Sequence, residues 1–93
     1  MPEVKKIMAA VCRSFDITEA ELLSRSRVGH LVSARMITIL MLKKNGYSDE
    51  RIGKILLRKR ATVTIMRNRA TYHIGIYADM RDRYNEIKNK IEN

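Results

Sequence analysis

The residues best placed for chemistry are Arg58, Lys59 and Arg60, followed directly by Ala61 and Thr62. Guanidinium and ammonium groups donate to phosphate oxygens, and in a duplex groove they donate to guanine O6 and N7. That is binding chemistry. The patterns that turnover needs are missing. There is no Gly-x-x-x-x-Gly-Lys-[Ser/Thr] loop, so neither nucleotide binding nor ATP hydrolysis is expected. There is no Gly-x-Ser-x-Gly and no His-Glu-x-x-His, and Cys12 is the lone cysteine. His30 and His73 each stand alone and are expected as surface or packing residues. Cys12 falls on an apolar stripe and is expected as a small core residue. The expectation is a chain that is not an enzyme and takes no metal and no cofactor.

Two short helices must position that basic turn. Ser48 can cap the first, and Asp49 and Glu50 suit its positive end. Ile52, Ile55 and Leu56 make one apolar stripe. Ala61-Thr62-Val63 opens the second helix, with Val63, Met66 and Ala70 facing inward. This is the spacing of a helix-turn-helix over about residues 48–74, with the helix starting near Ala61 set to enter a major groove. An ordinary helical hairpin with a solvated basic loop has the same pattern.

Charge distribution narrows the choice of partner. The 93 residues carry a net charge of +9. Residues 25–60 hold ten basic and two acidic groups, whereas residues 1–24 hold three and four. A localised basic surface is the footprint of a polyanion binder, and nucleic acid is the commonest such partner. The cations are spread over turns and several elements, not along one amphipathic helix, which disfavours a membrane surface. No apolar run approaches the roughly 20 residues that cross a bilayer, and no signal peptide is visible. With a lone cysteine, these features fit a reducing cytoplasm, bacterial or phage, at the nucleoid.

Scarce breakers and many Ile, Leu, Met, Lys, Arg and Glu predict an all-α domain spanning 1–93, with about six helices. The first helix is predicted from Pro2 to Phe15, burying Val4, Ile7, Met8, Val11, Cys12 and Phe15. Thr18-Glu19-Ala20-Glu21 has the pattern of a capping box. Ser24-Arg25-Ser26-Arg27 follows as a basic loop, either an exposed connection or an arm for phosphate or minor groove. Leu31 to Asn45 should be the longest, central helix, apolar nearly all round with Arg35 as the exception; Gly46 marks its end. A last helix, from about Ile76 to Ile91, presents Tyr77, Met80, Tyr84, Ile87 and Ile91, with Asp79, Asp82, Glu86, Arg81, Arg83 and Lys90 as an ion-paired surface.

Residues 11–87 resemble the C-terminal DNA-binding domain of the bacterial replication initiator DnaA, of the Trp-repressor-like superfamily. Phe15-Asp16-Ile17, Leu22-Leu23-Ser24, Arg25-Ser26-Arg27, Val32-Ser33-Ala34-Arg35, Ser48 to Gly53, Arg58 to Val63 and Asp79-Met80 through Ile87 carry the likeness in order. The resemblance implies Arg27 in the minor groove, with Arg25 in the same basic loop. It associates Arg35, Lys43, Arg58 and Arg69 with backbone or nearby groove contacts, and it puts Lys59, Arg60, Ala61 and Thr62 in the major groove. The family signature Arg-Asp-His-Thr-Thr-Val is here Arg58-Lys59-Arg60-Ala61-Thr62-Val63. An aspartate accepts from cytosine N4, whereas Lys and Arg donate to guanine and alanine offers a methyl to thymine. The initiator's site should therefore not be assumed; the expectation is binding to another site or mostly non-specific binding. The family's ATPase and partner-binding domains have no counterpart in these residues.

The expected function is double-stranded DNA binding through ten residues: Arg25, Arg27, Arg35, Lys43, Arg58, Lys59, Arg60, Ala61, Thr62 and Arg69. The alternative is a protein-interaction module of prophage or regulatory origin, in which exposed methionines and the basic face meet an acidic partner. RNA is a weaker candidate because aromatic residues for base stacking are few.

Overall fold

The computed structural model describes residues 4–92. Among them the chain forms six α-helices and no strand: α1 (Val4–Phe15), α2 (Glu19–Leu23), α3 (Gly29–Lys44), α4 (Asp49–Leu56), α5 (Arg60–Ile76) and α6 (Ala78–Glu92). The expected start of the first helix at Pro2 lies outside the described residues.

Helix α3 is the axis of the molecule because its circumference is apolar. Leu31, Ala34, Met36, Ile37, Ile39, Met41 and Leu42 are all buried along it. No single face can pack, so neighbours surround it: α1 and α5 along most of its length, and α2, α4 and α6 at narrower contacts. From α1 come Ile7, Met8 and Val11, with Val4, Cys12 and Phe15 packed at the edge. Burial raises the Cys12 thiol above its ordinary range, with smaller contributions from Glu19 and Glu21.

Local hydrogen bonds stop and start the helices where the sequence says. The capping box forms: Glu21 N donates to Thr18 Oγ1 at 3.1 Å and Thr18 N to Glu21 Oε1 at 2.9 Å. At the end of α3, Gly46 adopts φ 90°. Gly46 N donates to Lys43 O and Tyr47 N to Leu42 O, which completes a Schellman cap.

Two expectations fail together at the C-terminal end. Helix α5 has 17 residues and α3 has 16, so α3 is central but not the longest. The last helix, expected from about Ile76, starts at Ala78, because α5 runs on through Ile76 and the chain leaves helical geometry only at Tyr77, at φ −97° and ψ 112°. Tyr77 is consequently a cap with 51% exposure and no part of the inner face of α6, whose buried residues are Met80, Ile87 and Ile91. Nor is α6 charged only on a solvated face. Arg83 Nη1 donates to Ser14 O at 2.8 Å and its guanidinium lies 4.4 Å from the Phe15 ring centre, which docks α6 on the end of α1.

Candidate nucleic-acid interface

The turn between α4 and α5 is built by close backbone approach. Leu57 takes the left-handed conformation, φ 59° and ψ 44°, and Arg58 N then donates back to Gly53 O at 2.7 Å. A Cβ on Gly53 would lie 2.6 Å from Arg58 O, so only glycine lets the chain turn this tightly. Ile52 and Leu56 of α4 and Val63 and Ala70 of α5 are buried, and Ile55 and Met66 pack beside them. This is the expected helix-turn-helix core.

Asp49 ties the two helices and α3 together. Ser48 caps α4 by accepting from Arg51 N at 3.2 Å. Asp49 Oδ1 accepts from Arg67 Nε at 3.2 Å, and Oδ2 from Arg67 Nη2 at 3.1 Å and Thr64 Oγ1 at 2.8 Å. Lys43 Nζ sits 3.2 Å from Oδ1. The Arg67 fork, then Thr64 and Lys43, hold the Asp49 carboxyl down at about 2 against the opposing effect of burial. Sequence reasoning gave Asp49 only a helix-end role and missed Arg67.

Between the 25–27 loop and α5 lies a groove of about 970 Å³. Among the described residues seven cations line it, Arg25, Arg27, Arg35, Lys54, Arg58, Lys59 and Arg69, and no carboxylate does. Thr62, Ile65 and Met66 complete the α5 wall. Lys59, Thr62, Ile65, Met66 and Arg69 follow helical spacing, which puts them on one face. Lys59 precedes α5 and makes no side-chain cap, so the first-turn N–H groups beside these cations are left for another acceptor.

The groove thus brings together Arg25, Arg27, Arg35, Arg58, Lys59, Thr62 and Arg69. It does not include Lys43, which is paired with Asp49. Arg60 and Ala61 are exposed on the first turn of α5, outside the groove lining. Lys54 and Ile65 are additions that sequence reasoning missed; the i, i+3 spacing from Thr62 could have found Ile65.

Two of the cations are held unlike the rest. Arg35 is 4% exposed. Its Nε donates to Leu22 O at 2.7 Å, Nη1 to Ser26 O at 2.6 Å and Nη2 to Ser24 O at 2.8 Å. Arg58 is half-buried and donates to Leu56 O, Leu23 O and Ser24 O. Desolvation, then the neighbouring Arg58 charge, pushes the Arg35 guanidinium below its usual range; desolvation, then Arg25, does the same to Arg58. The expected backbone contact of Arg35 meets a physical obstacle, since its donors point into the protein.

The methionines also differ from expectation. Among the described residues Met8, Met36, Met41 and Met80 are buried and Met66 is half-buried, so these five form core and offer no methionine-rich docking face. Among the described residues no group of three His, Cys, Asp or Glu side chains could hold a metal. No helix among the described residues is long and apolar enough to cross a membrane.

A family profile described as the bacterial DnaA protein helix-turn-helix matches residues 4–70. The chain belongs to that family. The match takes in α1 through α4 and the first part of α5, including the basic loop and the whole turn; α6 lies beyond it. Comparison with curated protein sequences gives no match. The family is one of DNA-binding domains and not of enzymes, and this DnaA-like chain is a DNA-binding, all-α helix-turn-helix protein.

Proposed function

We propose that this DnaA-like domain reads double-stranded DNA by a two-groove grip. The N-terminal half of α5 enters the major groove, with Lys59, Arg60, Ala61 and Thr62 toward the bases, while Arg25 and Arg27 reach the adjacent minor groove and backbone. The observation that carries this is the groove of seven cations and no carboxylate, with the basic loop on one side and α5 on the other. Arg58, Arg69 and Lys43 add charge around it, and Arg35 contributes from behind the loop. Lys and Arg at the reading positions favour guanine O6 and N7, and Ala61 with Ile65 favours thymine methyls. The preferred site is therefore rich in donors' partners and differs from one chosen by Asp-His-Thr. A chain with this function works at the nucleoid of a bacterial or phage-infected cell, without nucleotide.

Selection from random duplex DNA followed by salt titration tests the reading. Arg60→Ala should relax base preference at one position by about 1–3 kcal/mol, whereas Arg69→Ala should weaken all duplexes alike and lower the salt slope by about one. Unchanged duplex binding in both variants would refute it.

One observation favours a second reading. Leu57 and Ile65 are 60% and 54% exposed within the cationic groove. A mixed apolar and basic lining also fits an acidic amphipathic segment of a protein partner. An acidic-protein pulldown that duplex DNA fails to compete away would favour that reading over the first.

A further inference from the structure

Arg35 and Arg58 converge on one short stretch of backbone from two different elements. A helix of five residues leaves its last carbonyls without helical partners. Leu22 O is taken by Arg35 from α3 and Leu23 O by Arg58 from the helix-turn-helix turn, while Glu21 O, which already accepts from Ser24 N and Ser24 Oγ, accepts from Arg35 as well. Both forks then meet at Ser24 O, Arg35 at 2.8 Å and Arg58 at 2.5 Å. Arg35 alone reaches on to Ser26 O. Ser24 Oγ accepts from Ser26 N at 3.3 Å and from Arg35 Nη2 at 3.2 Å, and Ser26 Oγ from Val28 N at 3.3 Å. The shared carbonyl is one residue before Arg25 and three before Arg27.

Neither guanidinium makes an ion pair with a carboxylate among the described residues. Two like charges are instead drawn together around carbonyl dipoles. Such burial is tolerable only when the donors are satisfied. The donors that Arg35 and Arg58 spend on these carbonyls are not offered to a phosphate. To turn those donors on DNA, a guanidinium would have to let go of the loop.

We infer that Arg35 and Arg58 are positioning residues for DNA reading: they clamp the Ser24–Arg27 loop to the helix-turn-helix and take no phosphate themselves. Arg27 and the start of α5 then approach the duplex as one rigid unit, with the span between two grooves set before binding. This rests on the two-groove reading proposed above.

The test pairs two substitutions at each arginine in the full chain. Lysine keeps the charge but cannot span several carbonyls, and glutamine removes the charge. Amide hydrogen exchange is followed over residues 24–28 in the free protein. Binding is measured, with salt, to a duplex drawn from a random pool and to its shuffled counterpart. The clamp requires faster exchange at Ser26 and Val28 in all four variants, with α1 and α6 unchanged. Binding to the selected duplex should weaken about tenfold or more, and to the shuffled duplex by less than about twofold, with lysine giving no rescue and the salt slope unmoved. In an Arg27→Ala background, Arg35→Lys should add less than about twofold, since the clamp acts through Arg27. The inference is overturned if loop exchange is unchanged. It is equally overturned if lysine restores binding while glutamine weakens both duplexes and lowers the slope by about 0.9, the mark of one lost phosphate contact. Should an Arg35 variant fail to fold, the half-exposed Arg58 pair decides the question. If the unaltered protein prefers no duplex, the two-groove reading falls, and loop exchange still judges the clamp.

Discussion

Asp49 binds the helix-turn-helix to the central helix, because one carboxylate satisfies Lys43 from α3 and both Thr64 and Arg67 from α5. Its side chain is 14% exposed, so removing it strands Arg67 in a poorly hydrated place. The carboxyl titrates at about 2 in the fold against 3.8 for the free side chain. A depressed folded value means that the stabilisation is present in full above the free value and is lost as pH falls from there toward 2. The shift corresponds to about 2 kcal/mol. Asp49→Asn should therefore lower the melting temperature at pH 7 by roughly 10 °C. Thermal melts between pH 5 and pH 2 should show a steep acid arm in the parent and a flatter one in the variant. An acid arm of equal steepness in both would show that Asp49 is not the titrating group.

At the scale of elements, the α4–α5 turn depends on a position without a side chain. Gly53→Ala would improve helix propensity by up to about 1 kcal/mol. The new methyl would lie 2.6 Å from Arg58 O, a backbone atom that cannot swing away. Overpacking of this kind costs about 1–3 kcal/mol, so the net effect should be destabilising. It should also move Arg58, and denaturant unfolding with loop exchange beside it would register both effects. The elements that could be read in the sequence are those closed by near neighbours. The Thr18–Glu21 box and the Gly46 cap join residues three to five apart, so their signals lie within one turn of chain. The clamp was out of reach for the opposite reason. Arg35 finds its acceptors 9 to 14 residues away, Arg58 reaches carbonyls 34 and 35 residues away, and Arg67 meets Asp49 across 18. A lone arginine in an apolar helix signals that something is needed there, but not which carbonyls supply it. Sequence reasoning places the start of the last helix too early, near Ile76, for a related reason: α5 packs on α3 and α6, which carries it past Gly75 although glycine weakens a helix by about 1 kcal/mol.

For the molecule as a whole, the cations that face the groove come from distant parts of the chain, residues 25–35 and 54–69. They lie together only when α2, α3 and the helix-turn-helix are assembled. Their mutual repulsion opposes that assembly, and a polyanion removes it. Duplex DNA should thus raise the melting temperature, and the gain should shrink as salt rises because screening supplies part of the same relief. Differential scanning with a fixed excess of duplex at two ionic strengths would measure both. A salt-independent gain would mean that the groove cations are not what the duplex engages.

Lys59, Arg60 and Ala61 are exposed, and their side chains make no hydrogen bond among the described residues. They are also the positions at which this chain departs from its family's signature. In the proposed two-groove grip, address and architecture are therefore written in separate letters. Replacing all three by Asp, His and Thr should leave the melting temperature nearly unchanged, within about 0.5 kcal/mol per site, while redirecting the selected duplex. A fold arranged in this way can be re-addressed by descent or by design without being rebuilt.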